Sequence, residues 1–524
     1  MLAEQPTKKS FFFYNHYYPL IVIAYLLCFA VTRTPYFLNY DIPGLRTIHH
    51  YYSAKILYLL ENKLPLFTDL PAFYPMFLYM CDLLGIQINV ILIIQAIVSL
   101  ICVLLCQFYI NKYFPRYSLL FFVAALIFYT SALCLNYDTR IEERSLFVNV
   151  TLVASVFAAV SFSTGRIHYF VITSILCGLM FYLRHQGLYI IPVVGILLLV
   201  LIVERRTSQL AGLVFPILLL FAASSIYNKI STGSFFLGDR AIITAISPAV
   251  FFLDESGEYP EEVKAIIRKV VESYSEEEKA ILRESWSFKQ LRKVITVDYY
   301  DDKGGEFIPL FDTHVKDLKR LAFNSKKEHL LIYIKYIYTN FIYCFLINYD
   351  DYFFYYNELV NRKYYIESSS YYHHPELSES DYNVIYKEYA DYVLKKDALP
   401  KSGIIKGENY VDGFSSENFW VKLNHYYQII HARIFSNLIW LVYFVLASAV
   451  SLALILKSRL KEPEILLLQI SFIFVICNFI VVSVSIPPLY SYVYPTKFFV
   501  YFYPLSISYY LLYRLLHSKS MKGC

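Results

Sequence analysis

Charge is scarce in this chain. Asp, Glu, Lys and Arg make up 17% of its 524 residues, against 57% hydrophobic. That shortage excludes an ordinary soluble globular protein, in which about a quarter of the residues are charged. Cysteine is no richer. None of the nine cysteines forms a CxxC pair and most sit inside apolar runs, which argues against a disulfide framework or a zinc site. The net charge is only +5, too small to favour nucleic acid as a partner. Internal repeats and low-complexity tracts are absent too. No small-residue cleavage site follows the apolar run after Lys8 and Lys9, so that run is expected to stay as a first helix.

What the chain does have is long apolar runs and aromatic rings, 52 Tyr and 42 Phe, of the kind that gather at membrane interfaces. The runs fall near 18–33, 88–110, 118–136, 145–162, 167–183, 188–203, 209–227, 434–456, 464–486 and 498–515. A span needs about 20 such residues. With the first residues in the cytoplasm, the inside loops carry Lys112, Arg116, Arg166, Arg205, Arg206, Lys457, Arg459 and Lys461. This obeys the positive-inside rule. The fold expected is all-α and polytopic, with about ten transmembrane helices.

Three parts follow from that layout. Residues 1–228 form an N-terminal transmembrane module whose first outer loop is 34–87. Residues 229–433 form a large extracytoplasmic insertion, and 434–524 the last transmembrane helices. Residues 72–85 are too short to span and are expected as an interfacial helix outside. Residues 329–347 are long enough to span, but spanning would turn the basic 457–461 loop outward, so an outer-surface or re-entrant helix is preferred. Residues 167–203 read as two short helices joined by "RHQG". In the insertion, Pro260 followed by acids starts one helix, and Ser275 with Glu278 forms a capping box for another.

The first outer loop raises the functional question. After Asp41, Leu45, Ile48, Tyr52, Ile56 and Leu59 recur at helical spacing and suit a helix lying on the membrane surface. Pro43 fits its first turn. Asp41 would therefore sit at a helix start at the water boundary. One reading is an N-cap; the other is a carboxylate placed as a general base.

The order of the parts resembles the C-type superfamily of membrane glycosyltransferases, and within it the protein O-mannosyltransferases and lipid A aminoarabinose transferases. Asp41 stands at the first acid of that family's first loop. "TDLPAFYPMFLYMCDLLG" stands at its second segment, with Asp69 and Pro71 at the acid and the proline. "EERSLF" at 142–147 resembles the acid-containing second outer loop. "GLMFYLRHQGLYIIP" at 178–192, "NKISTGSFFLGDR" at 228–240 and "YPTKFFVYFYPLSI" near the end resemble further family segments. The likeness covers about 15–245 and 465–515. Ile42 replaces the second acid of the usual pair, so the base rests on Asp41 alone. Lys497 stands where arginine is usual, keeping the charge but not the planar fork.

The resemblance implies an integral membrane enzyme that moves a sugar from a polyprenyl-phosphate donor to an acceptor hydroxyl. The acceptor is a glycan, a lipid or a protein, and transfer is at the outer face, with inversion. Asp41 would take the acceptor proton, and fixed positive charge would receive the departing phosphate. Arg184, His185 and Lys497 are the cationic candidates, with Arg140 and Arg144 behind them. Asp138, Glu142 and Glu143 would orient the acceptor or partner those arginines, Glu143 foremost. Each has a plainer reading: a snorkelling arginine, a surface histidine, a helix-end lysine, a solvated turn.

No metal site is assigned. Some relatives hold a divalent cation near the first-loop acids, and Asp69 with His49 or His50 would offer ligands here. Adjacent helical histidines point about 100° apart, so only one would face such a site. Two other functions stay open: an O-antigen ligase or polysaccharide polymerase, which works without the first-loop acid, and a lipid-linked glycan flippase or transporter. The plasma membrane of a bacterium is the expected location, with the site on the periplasmic face.

Overall fold

The computed structural model describes residues 8–38, 73–86, 88–131, 134–135, 138, 143–232, 326–346, 438–456, 463–485 and 490–520, with single positions between 261 and 324. Those residues are almost entirely helical and include no strand. The helices are α1 (Lys8–Leu38), α2 (Phe73–Leu83), α3 (Ile88–Tyr113), α4 (Ser118–Tyr129), α5 (Glu143–Thr164) and α6 (Ile167–Leu183). They continue as α7 (Ile190–Val203), α8 (Thr207–Thr232), α9 (Leu330–Leu346), α10 (Leu438–Leu456), α11 (Pro463–Ser485) and α12 (Tyr490–Ser520). Short 3₁₀ turns at Pro115–Tyr117 and His185–Tyr189 join α3 to α4 and α6 to α7.

The stretches Val90–Tyr113, Glu143–Thr164 and Ile465–Val484 are long and apolar enough to cross a membrane, and shorter apolar helices accompany them. Large apolar side chains also stay exposed outside the bundle, among them Leu27 on α1, Ile101 on α3, Val203 on α7, Phe215 on α8 and Ile439 on α10. Exposure on this scale is unstable in water and suits a hydrocarbon surround. The chain is a membrane protein.

Helix α5 occupies the middle, packed against α3, α6, α11 and α12. Its sequence explains the position. Ala154, Ser155, Ala158, Ala159 and Ser161 are small and buried, so neighbouring backbones approach closely on several sides. Aromatic rings fill the next layer. Phe121 of α4 lies 5.2 Å from Phe498 and 5.7 Å from Phe502 of α12, which sets α4 against α12. Tyr117 meets Tyr509 at 6.2 Å and Phe128 meets Phe498 at 6.0 Å, so the two helices run antiparallel.

Helix α8 carries Pro216 in its interior. Proline disturbs the local ladder of backbone bonds, and in lipid the freed groups need other partners. Ser174 of α6 supplies them. Its hydroxyl donates to the Leu213 carbonyl at 2.6 Å and accepts from the Ile217 N–H at 3.0 Å. One side chain thus bridges the opened turn. Ser174→Ala strands both groups and is expected to cost about 1–3 kcal/mol. Thermal unfolding in detergent measures this, and an unchanged midpoint contradicts the bridge.

The apolar run expected at 118–136 ends as a helix at Tyr129. Thr130 and Ser131 turn their hydroxyls back onto the Leu126 and Phe128 carbonyls, both at 2.6 Å. Such side-chain bonds compete with helix continuation. Ser131 then accepts the Cys134 N–H at 3.3 Å. The hydropathy of the run hides this break. A helix is present in the stretch 72–85, as α2. It lies on the first turns of α3, where Tyr74, Leu78 and Cys81 bury against Ile91 and Leu92, and Tyr74 donates to Gln95 at 2.5 Å.

Candidate functional site at one end of the bundle

Asp41, Asp69, Glu142 and Arg140, with His49 and His50, lie outside the described residues. So does most of the insertion 229–433; of its expected helices after Pro260 and Ser275 only Glu261, Lys264 and Glu276 are described, each as helical. For His185 the backbone is described and the side chain is not.

The candidates that are described gather at one end. Arg33, near the C-terminal end of α1, reaches Asp138 beyond α4. Its Nε donates to Asp138 Oδ2 at 2.9 Å and its Nη2 donates to the same oxygen at 2.5 Å. The guanidinium also donates to the Tyr129 carbonyl at 3.1 Å and to Thr32 Oγ1 at 3.0 Å, and it lies 3.9 Å over the Phe29 ring. Asp138 Oδ1 accepts from Ser99 at 2.9 Å and from Ser145 at 2.6 Å. Asn149 donates to Ser99 Oγ at 2.7 Å and accepts from the Tyr129 hydroxyl at 2.6 Å. Arg33 is 2% exposed and Asp138 1%. A buried charge pair is tolerable when the remaining lone pairs and protons are also satisfied, as here.

This changes the reading of Asp138. The sequence suggested an acceptor-binding acid or a partner for Arg140, Arg144 or Arg184 in a solvated loop. In the structure both its oxygens accept from side chains of α1, α3 and α5, so among the described residues it ties three helices together. Arg33 escaped notice because it closes the first apolar run. The usable signal was the charge itself, since a cation inside such a run demands a partner.

Arg184 and Glu143, both expected at the site, are brought together. Glu143 opens α5, where a carboxylate favours the positive helix end. Its Oε1 lies 3.7 Å from Arg184 Nε, a Coulomb contact beyond hydrogen-bond length. Arg184 is extended (φ −159°, ψ 140°) where α6 stops, and only 8% exposed. The "RHQG" link is held by Gly187, whose N–H donates to the Arg184 carbonyl at 2.8 Å. A Cβ at Gly187 would sit 2.5 Å from the Met180 carbonyl oxygen and 2.7 Å from Phe181 Cα. Both are backbone atoms and cannot yield, so this turn admits only glycine. The expectation of two short helices joined there holds, as α6 and α7.

Lys497 is also buried, at 2% exposure. Its Nζ donates to the Phe345 carbonyl at 3.2 Å, in the last turn of α9. A cation there suits the negative helix end. The rest of α9 rests on the C-terminal end of α11: Tyr333 donates to the Val484 carbonyl at 3.1 Å, Asn340 to the Ser483 carbonyl at 3.4 Å, and Phe345 meets Phe479 at 4.7 Å. Lys497 thus acts as a clamp on α9. Its neighbour Thr496 accepts from Asn478 at 2.9 Å.

Among the described residues no three of His, Cys, Asp and Glu converge as metal ligands, and the eight cysteines there are free thiols. No family model, curated protein or solved structure matches the chain.

Proposed function

We propose that the chain is an integral membrane glycosyltransferase of about ten spans that works at the outer face of a bacterial plasma membrane. It takes a sugar from a polyprenyl-phosphate carrier and places it on the hydroxyl of a glycan, lipid or protein. One observation carries the reading. Arg184 and Glu143 meet at the end of the bundle where Arg33 of α1 is pinned to Asp138. Asp41 follows the α1 terminus at Leu38 by three residues, a reach of at most about 10 Å. The general base is thereby tethered to the end that holds the arginine.

The chemistry divides between them. The acceptor oxygen bonds to the anomeric carbon as its proton passes to the Asp41 carboxylate. The carbon–oxygen bond to the carrier breaks, and its electron pair leaves with the phosphate. A lipid phosphate departs as an anion and needs no acid; it needs preorganised positive charge, which Arg184 supplies with His185 beside it in the chain. Glu143 holds Arg184 until the donor arrives. Glu142 remains an acceptor-side acid and Asp69 a substrate-binding one. Asp138 and Lys497 act as positioning residues, through Arg33 and α9.

The test is graded. Arg184→Gln is expected to lower transfer on the order of 10²-fold, the usual scale for one lost electrostatic donor. Arg184→Lys keeps the charge but loses the fork, and is expected to fall between. Glycan output of cells carrying each variant at matched protein level gives the readout. Wild-type output from Arg184→Gln contradicts the assignment.

A further inference from the structure

At the opposite end of the bundle, three tyrosines and two cations form a cluster that the transferase reading does not use. Helix α3 ends with Tyr109, Lys112 and Tyr113, and the tight turn between α5 and α6 brings Tyr169 against the two tyrosines, with His168 on its ring and Arg166 close enough to act on it. Gly165 makes the turn possible with a left-handed φ of 66°. Tyr109 stacks on Tyr113 at 6.1 Å and stands edge-on to Tyr169 at 6.0 Å. The Tyr113 and Tyr169 hydroxyls share a hydrogen bond of 2.8 Å. One of the two donates, so the hydroxyl pair as a whole keeps a proton for a further acceptor. Lys112 Nζ lies 5.4 Å over the Tyr113 ring, and both Lys112 and Arg166 act electrostatically on Tyr169. Lys112, Arg166 and His168 are exposed. Among the described residues no carboxylate pairs with Lys112 or Arg166.

We propose that this cluster is a binding site for the headgroup of an anionic phospholipid of the inner leaflet. The chemistry fits at three points. Two unpaired cations offer twice the charge of one phosphodiester, which favours a headgroup with net negative charge over a zwitterion. The hydroxyl pair provides a directed donor to a phosphate oxygen. Stacked tyrosine rings at the helix ends suit the headgroup level, with apolar bodies toward the acyl chains. Tyr109 continues that wall inward by meeting Phe157 at 4.6 Å. A free phosphate shares the oxygen chemistry but gains nothing from the ring wall, so the lipid is the occupant. The site is independent of the transferase reading.

Native mass spectrometry of the full chain, delipidated and then exposed to phosphatidylglycerol or phosphatidylcholine vesicles, tests this. One phosphatidylglycerol per chain is expected to survive at energies that strip phosphatidylcholine. Lys112→Gln with Arg166→Gln is expected to weaken that retention about 30-fold, from the usual worth of two basic groups at a membrane surface. Arg116→Gln with Arg514→Gln removes two cations that lean on Tyr513 and Tyr510 instead, and is expected to leave retention unchanged. Equal losses in the two double variants would reduce the effect to overall surface charge and overturn the site. Equal retention of both lipids overturns it too. Displacement of the lipid by excess inorganic phosphate would assign the cluster to a free anion, against the proposal.

Discussion

Asp138→Ala is expected to destabilise the bundle by about 3–5 kcal/mol, the scale for removing one partner of a buried ion pair. The cost comes from what is left behind. Arg33 would keep its charge at 2% exposure with its main acceptor gone. Ser99 and Ser145 would lose a shared acceptor as well. Native proteins hold only about 5–15 kcal/mol in reserve, so a large share of the chain should fail to fold. Replacing both charges, as Arg33→Met with Asp138→Leu, should recover most of the loss, because a well-packed apolar pair is often neutral relative to a buried salt bridge. Detergent-extracted yield and thermal midpoint read both effects. A double variant no more stable than Asp138→Ala would show that the polar network, and not the stranded charge, governs stability.

Asp41→Asn is expected to cut sugar transfer by a factor on the order of 10²–10⁴, the range for a positioned general base. The amide is nearly the same size as the carboxylate but cannot take the acceptor proton. Protein level and melting behaviour are expected to match wild type, because the substitution keeps the size and polarity of the side chain. That split between activity and stability separates it from Asp138→Ala. Transfer retained in Asp41→Asn would favour a ligase or polymerase that relies on outer-loop cations instead.

Much of the helical layout was legible because hydropathy is a local property. The runs near 88–110, 145–162, 209–227 and 464–486 stand within a few residues of α3, α5, α8 and α11. The run at 118–136 misled because α4 stops at Tyr129, where Thr130 and Ser131 bond back to the last turn, and averaging over a window hides two polar residues. The site was legible only in part. Arg184 and Glu143 stood out as charges at helix ends, and the structure pairs them. Their neighbour Asp138 looked the same in sequence. What sets it apart is Arg33, 105 residues away, and no local pattern records that partnership. Lys497 is similar. Its carbonyl partner at Phe345 lies 152 residues off, on a helix whose path depends on tertiary packing.

The claim at the centre is that a carrier-bound sugar is consumed at the end of the bundle where Arg184 meets Glu143. Mass spectrometry of polyprenyl-phosphate sugars in cells lacking the chain tests it most directly. The account predicts that one carrier-linked sugar accumulates while a surface glycan loses that same residue. Carrier-linked sugars and surface glycans identical to those of wild-type cells would contradict it.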